Sequence, residues 1–174
     1  MKFLGFILCL FVAIGARAQY SSTYEMKESL KVGIGPVFGG AYGKWGVKLD
    51  LNIEEDDGVV TGVGGSDSYN SFNIGWKHDF DGTFTHIYSV LGYAHLFGGD
   101  RAPSNNEYLI EQLNGPDAGG NISEGLSVLG LGFQYNELGP ELTGLSLFVE
   151  GNILHAWKSS KLIPTGTVGM TYFF

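Results

Sequence analysis

The sequence predicts an all-β fold, an antiparallel up-and-down barrel of eight strands. Composition is the first reason: among 174 residues there are 28 glycines, and aromatic side chains make up 14%. Both kinds of residue are poor helix formers, which favours strands. The second reason is a period-two alternation of apolar and polar residues, which is typical of strands with one apolar and one polar face.

The first residues are typical of a secretory leader. Lys2 provides a positive start, residues 3–14 form an apolar run, and the tripeptide Ala-Arg-Ala at 16–18 matches a small-x-small cleavage site. About twelve apolar residues are too few for a membrane-spanning helix, which needs roughly 20. We therefore expect a cleaved signal peptide over residues 1–18, followed by a short periplasmic N-terminal segment over residues 19–28.

Cysteine content and charge narrow the functional classes. Cys9 is the only cysteine and lies in the apolar run of the leader. The exported chain would therefore contain no disulfide, no thiolate nucleophile and no Cys-ligated metal. The whole chain carries a formal net charge of −8 at pH 7. This acidic balance argues against nucleic acid as a partner.

Alternation is clearest over residues 44–55. Trp45 and Val47 fall on one face of this segment, and Lys48 and Asp50 fall on the other. Similar segments recur along the chain and are separated by turn residues. The predicted strands cover residues 29–38, 44–55, 58–65, 69–80, 83–97, 123–137, 143–157 and 161–174.

The connections between these strands have the lengths expected of a membrane barrel. With an even number of strands, both termini are periplasmic, the periplasmic turns are short and the outer loops are longer. The second, fourth and sixth connections are short: EDDG, the pair Asp81-Gly82 and LGPEL. The long connection, residues 98–122, is the fifth, so the same parity places it outside. An odd strand count would place it in the periplasm, which supports a strand at 58–65 in a barrel domain of residues 29–174.

A local helix signal lies inside the long connection. Ser104 and Glu107 match the capping box S-x-x-E, the run YLIEQL follows, and Asn-Gly-Pro at 114–116 provides a stop. We expect a short helix near residues 105–113. Its inner face would pack on the barrel mouth or on a neighbour through Tyr108, Leu109 and Leu113.

Alternating strands fit either a soluble barrel with its apolar face inward or a membrane barrel with that face outward. The soluble form would place Trp45, Trp76 and Trp157 inside the barrel. The interior of an eight-stranded barrel is only just wide enough for side chains, so three tryptophans would crowd it. The membrane form places small and charged residues in the lumen, where charges of both signs can pair. The predicted lumen residues are Gly33, Gly35, Gly46, Gly75, Lys31, Lys48, Asp50, Lys77, Asp79, Glu124 and Glu150.

Aromatic residues near the strand ends are expected to form two girdles at the membrane interfaces. The outer girdle would contain Trp45 and Trp157. The periplasmic girdle would contain Phe80, Phe84, Tyr172 and Phe174. In the last strand we expect Phe173 to point inward at the end of the lumen.

The leader, the glycine-aromatic strands and the terminal phenylalanine together resemble the small eight-stranded outer-membrane barrels of the OmpA, OmpX and opacity-protein type. The resemblance covers Leu30 to Phe174. The residue pattern of the strands is similar to that of outer-membrane proteins of Bacteroidota. It implies a location in the outer membrane of a Gram-negative cell. It also implies that the last strand is read by the barrel-assembly machinery, at the matching positions Val168, Met170, Tyr172 and Phe174.

The function expected from this resemblance is that of a non-enzymatic, integral outer-membrane protein with a structural, adhesive or complex-partner role. Its partners would be outer-membrane lipids including lipopolysaccharide, and an envelope protein that contacts the loop 98–122. We expect no catalytic, cofactor-binding or metal site. Three alternatives stay open: a rim enzyme of the lipid A deacylase type, a narrow porin-like path through the charged lumen, and a soluble exported binder similar to lipocalins.

Several residue types invite a chemical interpretation. A lipid hydrolase would need a histidine beside a serine, but His86 and Ser89 fall on opposite strand faces. His78 and His155 are better interpreted as interface residues. The acidic run Glu54 to Asp57 offers oxygen ligands for a hard cation but lacks the spacing of a calcium loop. The acids of the long loop would either be solvated, which is the simpler interpretation, or bridge lipopolysaccharide phosphates through divalent cations. These acids are Asp100, Glu107, Glu111 and Asp117.

Overall fold

The structure, a computed structural model, describes residues 20–98, 108–114, 122–139 and 142–174. The predicted signal peptide lies outside these residues. Within them, the strands form one closed sheet in which each strand is antiparallel to the next and the last pairs with the first. The strands are β1 (Val32–Gly39), β2 (Trp45–Asn52), β3 (Asp57–Gly65), β4 (Asn70–Asp79), β5 (Thr85–Phe97), β6 (Ser123–Asn136), β7 (Leu145–Ala156) and β8 (Leu162–Phe173). The predicted eight-stranded barrel is confirmed, including the third strand.

The two faces of the sheet are inverted relative to a soluble protein. Along β2, Trp45 and Val47 are exposed on the outer face, whereas Lys48 and Asp50 are buried in the lumen. The same alternation runs along the other strands. Other buried charged residues of the lumen are Lys77, Asp79, Glu124 and Glu150, as predicted. Other exposed apolar residues of the outer face include Phe72, Trp76, Leu91, Leu131, Phe133, Val149 and Val168.

One predicted lumen residue lies elsewhere. Lys31 is exposed, because it comes before the first residue of β1 and lies at the rim, where its carbonyl accepts a hydrogen bond from the Asn52 amide. The apolar–polar alternation of β1, from which Lys31 was predicted to point inward, begins only at Val32. The prediction that Lys31 lines the lumen is therefore wrong.

Aromatic rings in the lumen lie over glycines of neighbouring strands. A Cβ built on Gly132 would lie 2.2 Å from Cζ of Tyr88, so this ring occupies the place of a side chain. The same arrangement is found for Phe148 over Gly169 and for Phe173 over Gly33. Phe173 is buried at the end of the lumen, as predicted. Lumen-facing glycines thus let a barrel of only eight strands close around large side chains.

Two short α-helices accompany the barrel, α1 (Thr23–Ser29) and α2 (Tyr108–Asn114), with a 3-10 turn at Gly40–Tyr42. No helix among the described residues is both long and apolar enough to cross a membrane. The helix predicted near 105–113 is confirmed as α2, although residues 105–107 lie outside the described ranges. The segment 19–28 had no predicted helix, and α1 within it is a finding of the structure.

The barrel has two distinct ends. The second, fourth and sixth connections lie at one end together with α1, as their parity predicts; their described residues are 53–56, 80–84, 137–139 and 142–144. We call this the α1 end. Helix α2 of the fifth connection packs at the opposite end, which we call the α2 end.

Candidate functional site

The lumen is filled near the α1 end by paired charges. We call Lys27, Lys48, Lys77, Asp50 and Asp79 the lysine–aspartate cluster. Asp50 Oδ2 lies 3.3 Å from Nζ of Lys48 and 3.5 Å from Nζ of Lys77. Asp79 forms an ion pair with Lys27, and its Oδ1 lies 3.6 Å from Nζ of Lys77. All five side chains are almost completely buried, so each charge depends on its neighbours for stabilisation.

Neutral polar side chains extend this cluster across the lumen. Lys77 Nζ donates a hydrogen bond to Oε1 of Gln134 at 2.6 Å, and Gln134 Nε2 donates to Oδ1 of Asn136 at 2.7 Å. Nε2 of His86 lies 3.1 Å from Oδ1 of Asp79. The network therefore links β4 with β5 and β6 by hydrogen bonds in addition to the ion pairs.

Helix α1 closes this end of the lumen. Its Thr23 Oγ1 donates to the carbonyl of Thr83 at 2.6 Å and accepts from Nδ2 of Asn136 at 3.0 Å. Met26 and Lys27 point inward and are buried, with Lys27 paired to Asp79 in the cluster. Helix α1 is thus an internal plug whose contacts come from a turn and two strands that lie far from it in sequence.

The helix signal of α1 was present in the sequence. Ser22 caps the helix, since its Oγ accepts the amide of Glu25 at 3.2 Å, and the Glu25 carboxylate accepts the amide of Ser21 at 2.8 Å. Ser22 and Glu25 have the same S-x-x-E spacing as Ser104 and Glu107, so the sequence contains a capping signal for α1 as well. The inward direction of Thr23, Met26 and Lys27 had no comparable signal, because it depends on partners from other strands.

Burial dominates the titration of the Lys27 side chain. It lowers the pKa of Lys27 from 10.5 to about 8, and the carboxylates of Asp50, Asp56 and Asp57 offset only part of this effect. An ammonium group in such a place is costly unless it is paired. The plug therefore carries a cation whose protonation responds to mildly alkaline pH.

The middle of the lumen is packed with aromatic and branched side chains. Tyr42 reaches it from the 3-10 turn and packs against the cluster of buried residues Val37, Val60, Tyr88, Val90 and Phe148. Nζ of Lys48 lies 4.2 Å from the ring centroid of Phe148, a distance that allows a cation–π contact. A cavity of about 30 Å³ remains beside Lys48.

An apolar layer, which we call the apolar septum, fills the α2 end. Helix α2 contributes Leu109, Ile110 and Leu113 to it, and the barrel wall contributes Leu96, Leu126, Leu154 and Ile163 together with Ala94 and Ala156. Nζ of Lys161 donates to the carbonyls of Gln112 at 2.8 Å and Leu113 at 3.2 Å. This contact fixes the last turn of α2 to the β7–β8 connection.

The inner face of α2 differs from the prediction at one position. Leu109 and Leu113 are buried as expected, but Tyr108 is exposed and Ile110 is buried instead. At roughly 100° per residue, the three buried side chains point about 150° away from Tyr108. The prediction that Tyr108 packs inward is therefore wrong, because the run YLIEQL was assigned without fixing the helical phase.

The residues weighed for catalysis are not brought together. His86 is buried in the lumen, whereas Ser89 lies on the opposite face of β5. His78 lies on the outer face, with Nδ1 3.0 Å from Oδ1 of Asp57 and its ring 5.3 Å from that of Phe80. His155 is exposed on the outer face of β7.

The acidic residues lie at both ends of the barrel. Asp56, Asp57 and His78 place three potential ligand atoms within 4.8 Å of one another, but Oδ1 of Asp57 already accepts a hydrogen bond from Nε1 of Trp76 at 2.7 Å. Among the loop acids, Glu111 is exposed on α2. Asp100, Glu107 and Asp117 lie outside the described residues.

Exposed aromatic residues surround both ends of the barrel. Trp157 at the α2 end packs over Gly125, and its Nε1 donates to Oγ of Ser127 at 2.9 Å. Tyr93 lies beside it, with ring centroids 5.0 Å apart. The other predicted girdle residues are exposed (Trp45, Phe80, Phe84 and Phe174) or partly buried (Tyr172).

Comparisons with known proteins were made for sequence and for structure. No protein-family model matches the sequence, and no curated protein matches it significantly. The N-terminal β-barrel domain of Pseudomonas aeruginosa OprF superposes with a TM-score of 0.57 at 15% identity, over 83% of this chain and 97% of that domain. The chain has the fold of the small outer-membrane barrels.

A second solved structure is more distant. The Yersinia pestis outer membrane protein Ail, determined in a phospholipid bilayer nanodisc, gives a TM-score of 0.46 at 13% identity, over 83% of this chain and 99% of Ail. The finer resemblance to Bacteroidota proteins is not supported by these matches.

Proposed function

We propose that this protein is an integral outer-membrane β-barrel that serves as a closed, non-enzymatic scaffold in the cell envelope. Its role would be structural, adhesive or that of a partner in a larger complex. The observation that carries the proposal is the inverted barrel, with an apolar outer face, a charged lumen and helices packed at both ends. The OprF barrel domain supports the fold on which this proposal is built.

A lipid environment explains the outer face. Leucine, valine, phenylalanine and tryptophan side chains are exposed around the barrel, from Trp45 in β2 to Val168 in β8. Soluble monomers rarely expose an apolar patch larger than a few hundred Å². In lipid the same belt is favourable, and the closed sheet leaves no strand edge with unpaired backbone groups.

A closed lumen favours a scaffold over a pore. The lysine–aspartate cluster and α1 fill one end, and the apolar septum fills the other. Between them the cavity of about 30 Å³ has room for very few water molecules. The function would then lie on the outside of the barrel, with lipids including lipopolysaccharide around the wall and an envelope partner at the loop 98–122.

The location is tested by cell fractionation and gel migration. The chain, expressed with its own leader in a Gram-negative host, should be recovered in the outer-membrane fraction. Without boiling it should migrate faster on a denaturing gel than after boiling, because the closed barrel resists the detergent. A protein that stays in the periplasmic fraction without a mobility shift would contradict the proposal and favour the soluble binder.

The lipid-enzyme alternative is tested separately. A strain that lacks the protein should have the same lipid A acylation pattern as its parent, measured by mass spectrometry. Expression of wild type, His86→Ala and Ser89→Ala should likewise leave that pattern unchanged. A change in lipid A that depends on His86 or Ser89 in folded, inserted protein would refute the non-enzymatic role.

A further inference from the structure

The mid-lumen cavity of about 30 Å³ lies between the lysine–aspartate cluster and the apolar septum. Its polar lining comes from the 3-10 turn and from strands on opposite walls of the barrel. The polar residues that line it are Tyr42, Lys48, Asn73, Glu150, Asn152 and Thr167. A cavity with this lining differs from the apolar voids that stay dry in protein interiors.

Two opposite charges face this cavity without touching. Lys48 forms its ion pair with Asp50, at 3.3 Å. Glu150, which is also buried, forms no ion pair within 4.0 Å with any residue in the described part of the chain. The Tyr88 hydroxyl lies near the Glu150 carboxylate and has no other hydrogen-bond partner among the described residues. A buried carboxylate therefore lies across a polar gap from a buried ammonium.

A third group points to an occupant of the gap. Nδ2 of Asn152 donates to Oγ1 of Thr167 at 2.9 Å, whereas the buried Oδ1 of Asn152 has no partner among the described residues. Gly130 provides the space on the adjoining strand, because a Cβ there would lie 2.6 Å from Oδ1 of Asn152 and 3.1 Å from Cδ of Glu150. Buried carbonyl oxygens are rarely left unsatisfied, so a small hydrogen-bonding ligand fits this position.

We propose that the cavity is a built hydration site, in which ordered water links Lys48 of β2 to Glu150 and Asn152 of β7. Water is the ligand with the right chemistry, because it accepts from the Lys48 ammonium and donates to both the Glu150 carboxylate and Oδ1 of Asn152. The volume fits about two molecules, at roughly 10–15 Å³ of such volume for each. A metal cation in the same space would lie against the Lys48 ammonium, which disfavours it.

The site ties opposite walls of the barrel together across the lumen. Direct contacts of the lysine–aspartate cluster join α1, β2 and β4, and hydrogen bonds through Gln134 and Asn136 reach Ser146 of β7. The bridging water would add a second link, from Lys48 of β2 to Glu150 and Asn152 of β7. Glu150 would then be stabilised by water and by Lys48 jointly, which is how buried charges persist in a low-dielectric interior. This inference depends on the lumen alone and does not require the proposed envelope role.

Solution NMR of the full chain, refolded in detergent micelles, tests the proposal. Cross-peaks between slowly exchanging water and the Asn152 side-chain amide are expected in wild type. A crystal structure should show water about 2.7–3.2 Å from Oδ1 of Asn152. A direct contact between Lys48 and Glu150, or a dry cavity, would overturn the proposal, as would a bound sodium ion that disappears in choline chloride.

A matched pair of glycine variants provides the control. Gly130→Ala places a methyl group 2.6 Å from Oδ1 of Asn152, against the atom that would bind the water, and should abolish the water cross-peaks at Asn152. Gly151→Ala lies on the outer face, where the nearest atom to a Cβ is 4.0 Å away, and should retain them. Equal cross-peaks in the two folded variants would count against this site, and the wild-type measurement decides the question if Gly130→Ala does not fold.

Discussion

At the scale of single residues, the glycines of this barrel have a packing role. Tyr88, Phe148 and Phe173 lie over lumen-facing glycines of adjacent strands. The lumen of an eight-stranded barrel is only just wide enough for side chains. Large rings fit because the strand beside each one contributes a glycine. This packing explains how one sequence can be rich in both glycine and aromatic residues.

Gly132→Val should destabilise the barrel, because its Cβ would lie 2.2 Å from the Tyr88 ring. Forcing extra carbons into a packed interior costs about 1–3 kcal/mol. Urea unfolding in phospholipid vesicles, followed by tryptophan fluorescence, measures the free energy of unfolding. Gly151→Val is the control, because its side chain would point to the open outer face. Equal stability of the two variants would contradict the ring-over-glycine packing.

Lys27 provides a pH prediction with a defined sign. Below about pH 8 it is charged in both folded and unfolded forms, and the full cost of its burial is present. Between about pH 8 and 10.5 the unfolded chain holds a proton that the folded form has lost. The free energy of unfolding of wild type should therefore rise with pH relative to Lys27→Met, by up to about 3 kcal/mol.

The measurement is urea unfolding of both proteins at several pH values from 7 to 11, with the difference taken at each pH. The exposed residue Lys31 provides the control, since Lys31→Met should follow the wild-type curve. A wild-type curve that runs parallel to Lys27→Met over this range would show that burial does not govern the Lys27 ammonium.

At the scale of elements, the two helices close opposite ends by different chemistry. Helix α1 is held by an ion pair and by hydrogen bonds of Thr23, whereas α2 is held by apolar contacts and by Lys161 at its last turn. Neither helix is long enough to be stable alone in water. Each exists because the barrel supplies its partners.

Lys161→Met should loosen α2, because the carbonyls of Gln112 and Leu113 would lose their donor. We expect limited proteolysis within residues 98–122 of reconstituted protein to become several-fold faster. Lys44→Met removes an exposed ion pair with Asp67 at the same end and is the matched control. Unchanged cleavage in Lys161→Met would indicate that apolar contacts alone hold the helix.

The last strand carries the assembly prediction. Val168, Met170 and Phe174 are exposed on the outer face of the barrel, with Tyr172 partly buried between them. Phe174→Asp should lower the amount of folded barrel in the outer membrane several-fold, measured as the heat-modifiable band. Glu111→Ala, on the exposed side of α2, should leave that amount unchanged. Equal amounts for the two variants would refute recognition of this strand by the assembly machinery.

At the scale of the whole molecule, the barrel is filled from end to end. The lysine–aspartate cluster, the aromatic middle layer and the apolar septum follow one another along the lumen. A polar layer held by ion pairs and hydrogen bonds and an apolar layer that excludes water both oppose the passage of solutes. The closed sheet and the filled lumen therefore support the proposed scaffold role rather than a pore.

Reconstituted protein should accordingly be impermeable to small sugars. Liposomes that contain it should shrink in hypertonic arabinose and fail to reswell, as protein-free liposomes do. A general diffusion porin reconstituted in parallel is the positive control. Reswelling at a rate comparable to the porin would refute the closed lumen and favour the pore.

Much of this architecture was predictable because period-two alternation is a local property. It assigned the eight strands and the inward direction of Lys48, Asp50, Lys77 and Asp79, and the connection lengths supported the strand count. The alternation misplaced Lys31, which precedes the first residue of β1. For α2, the sequence predicted a helix but did not fix which residues face inward, so Tyr108 was wrongly assigned to the inner face. The sequence contains a capping signal for helix α1, but no sequence signal indicates that this helix lies in the lumen.

The local pattern of residues is enough to assign the two faces of each strand, because the pleat of a strand alternates whatever its neighbours are. Which lumen residues meet depends on how the strands and helices are assembled. The packing of α1 brings Lys27 to Asp79, the register of β5 with β6 places Tyr88 over Gly132, and the curvature of the barrel sets Lys48 across a small cavity from Glu150. These contacts join residues far apart in the chain, and their geometry depends on the registers of all eight strands at once.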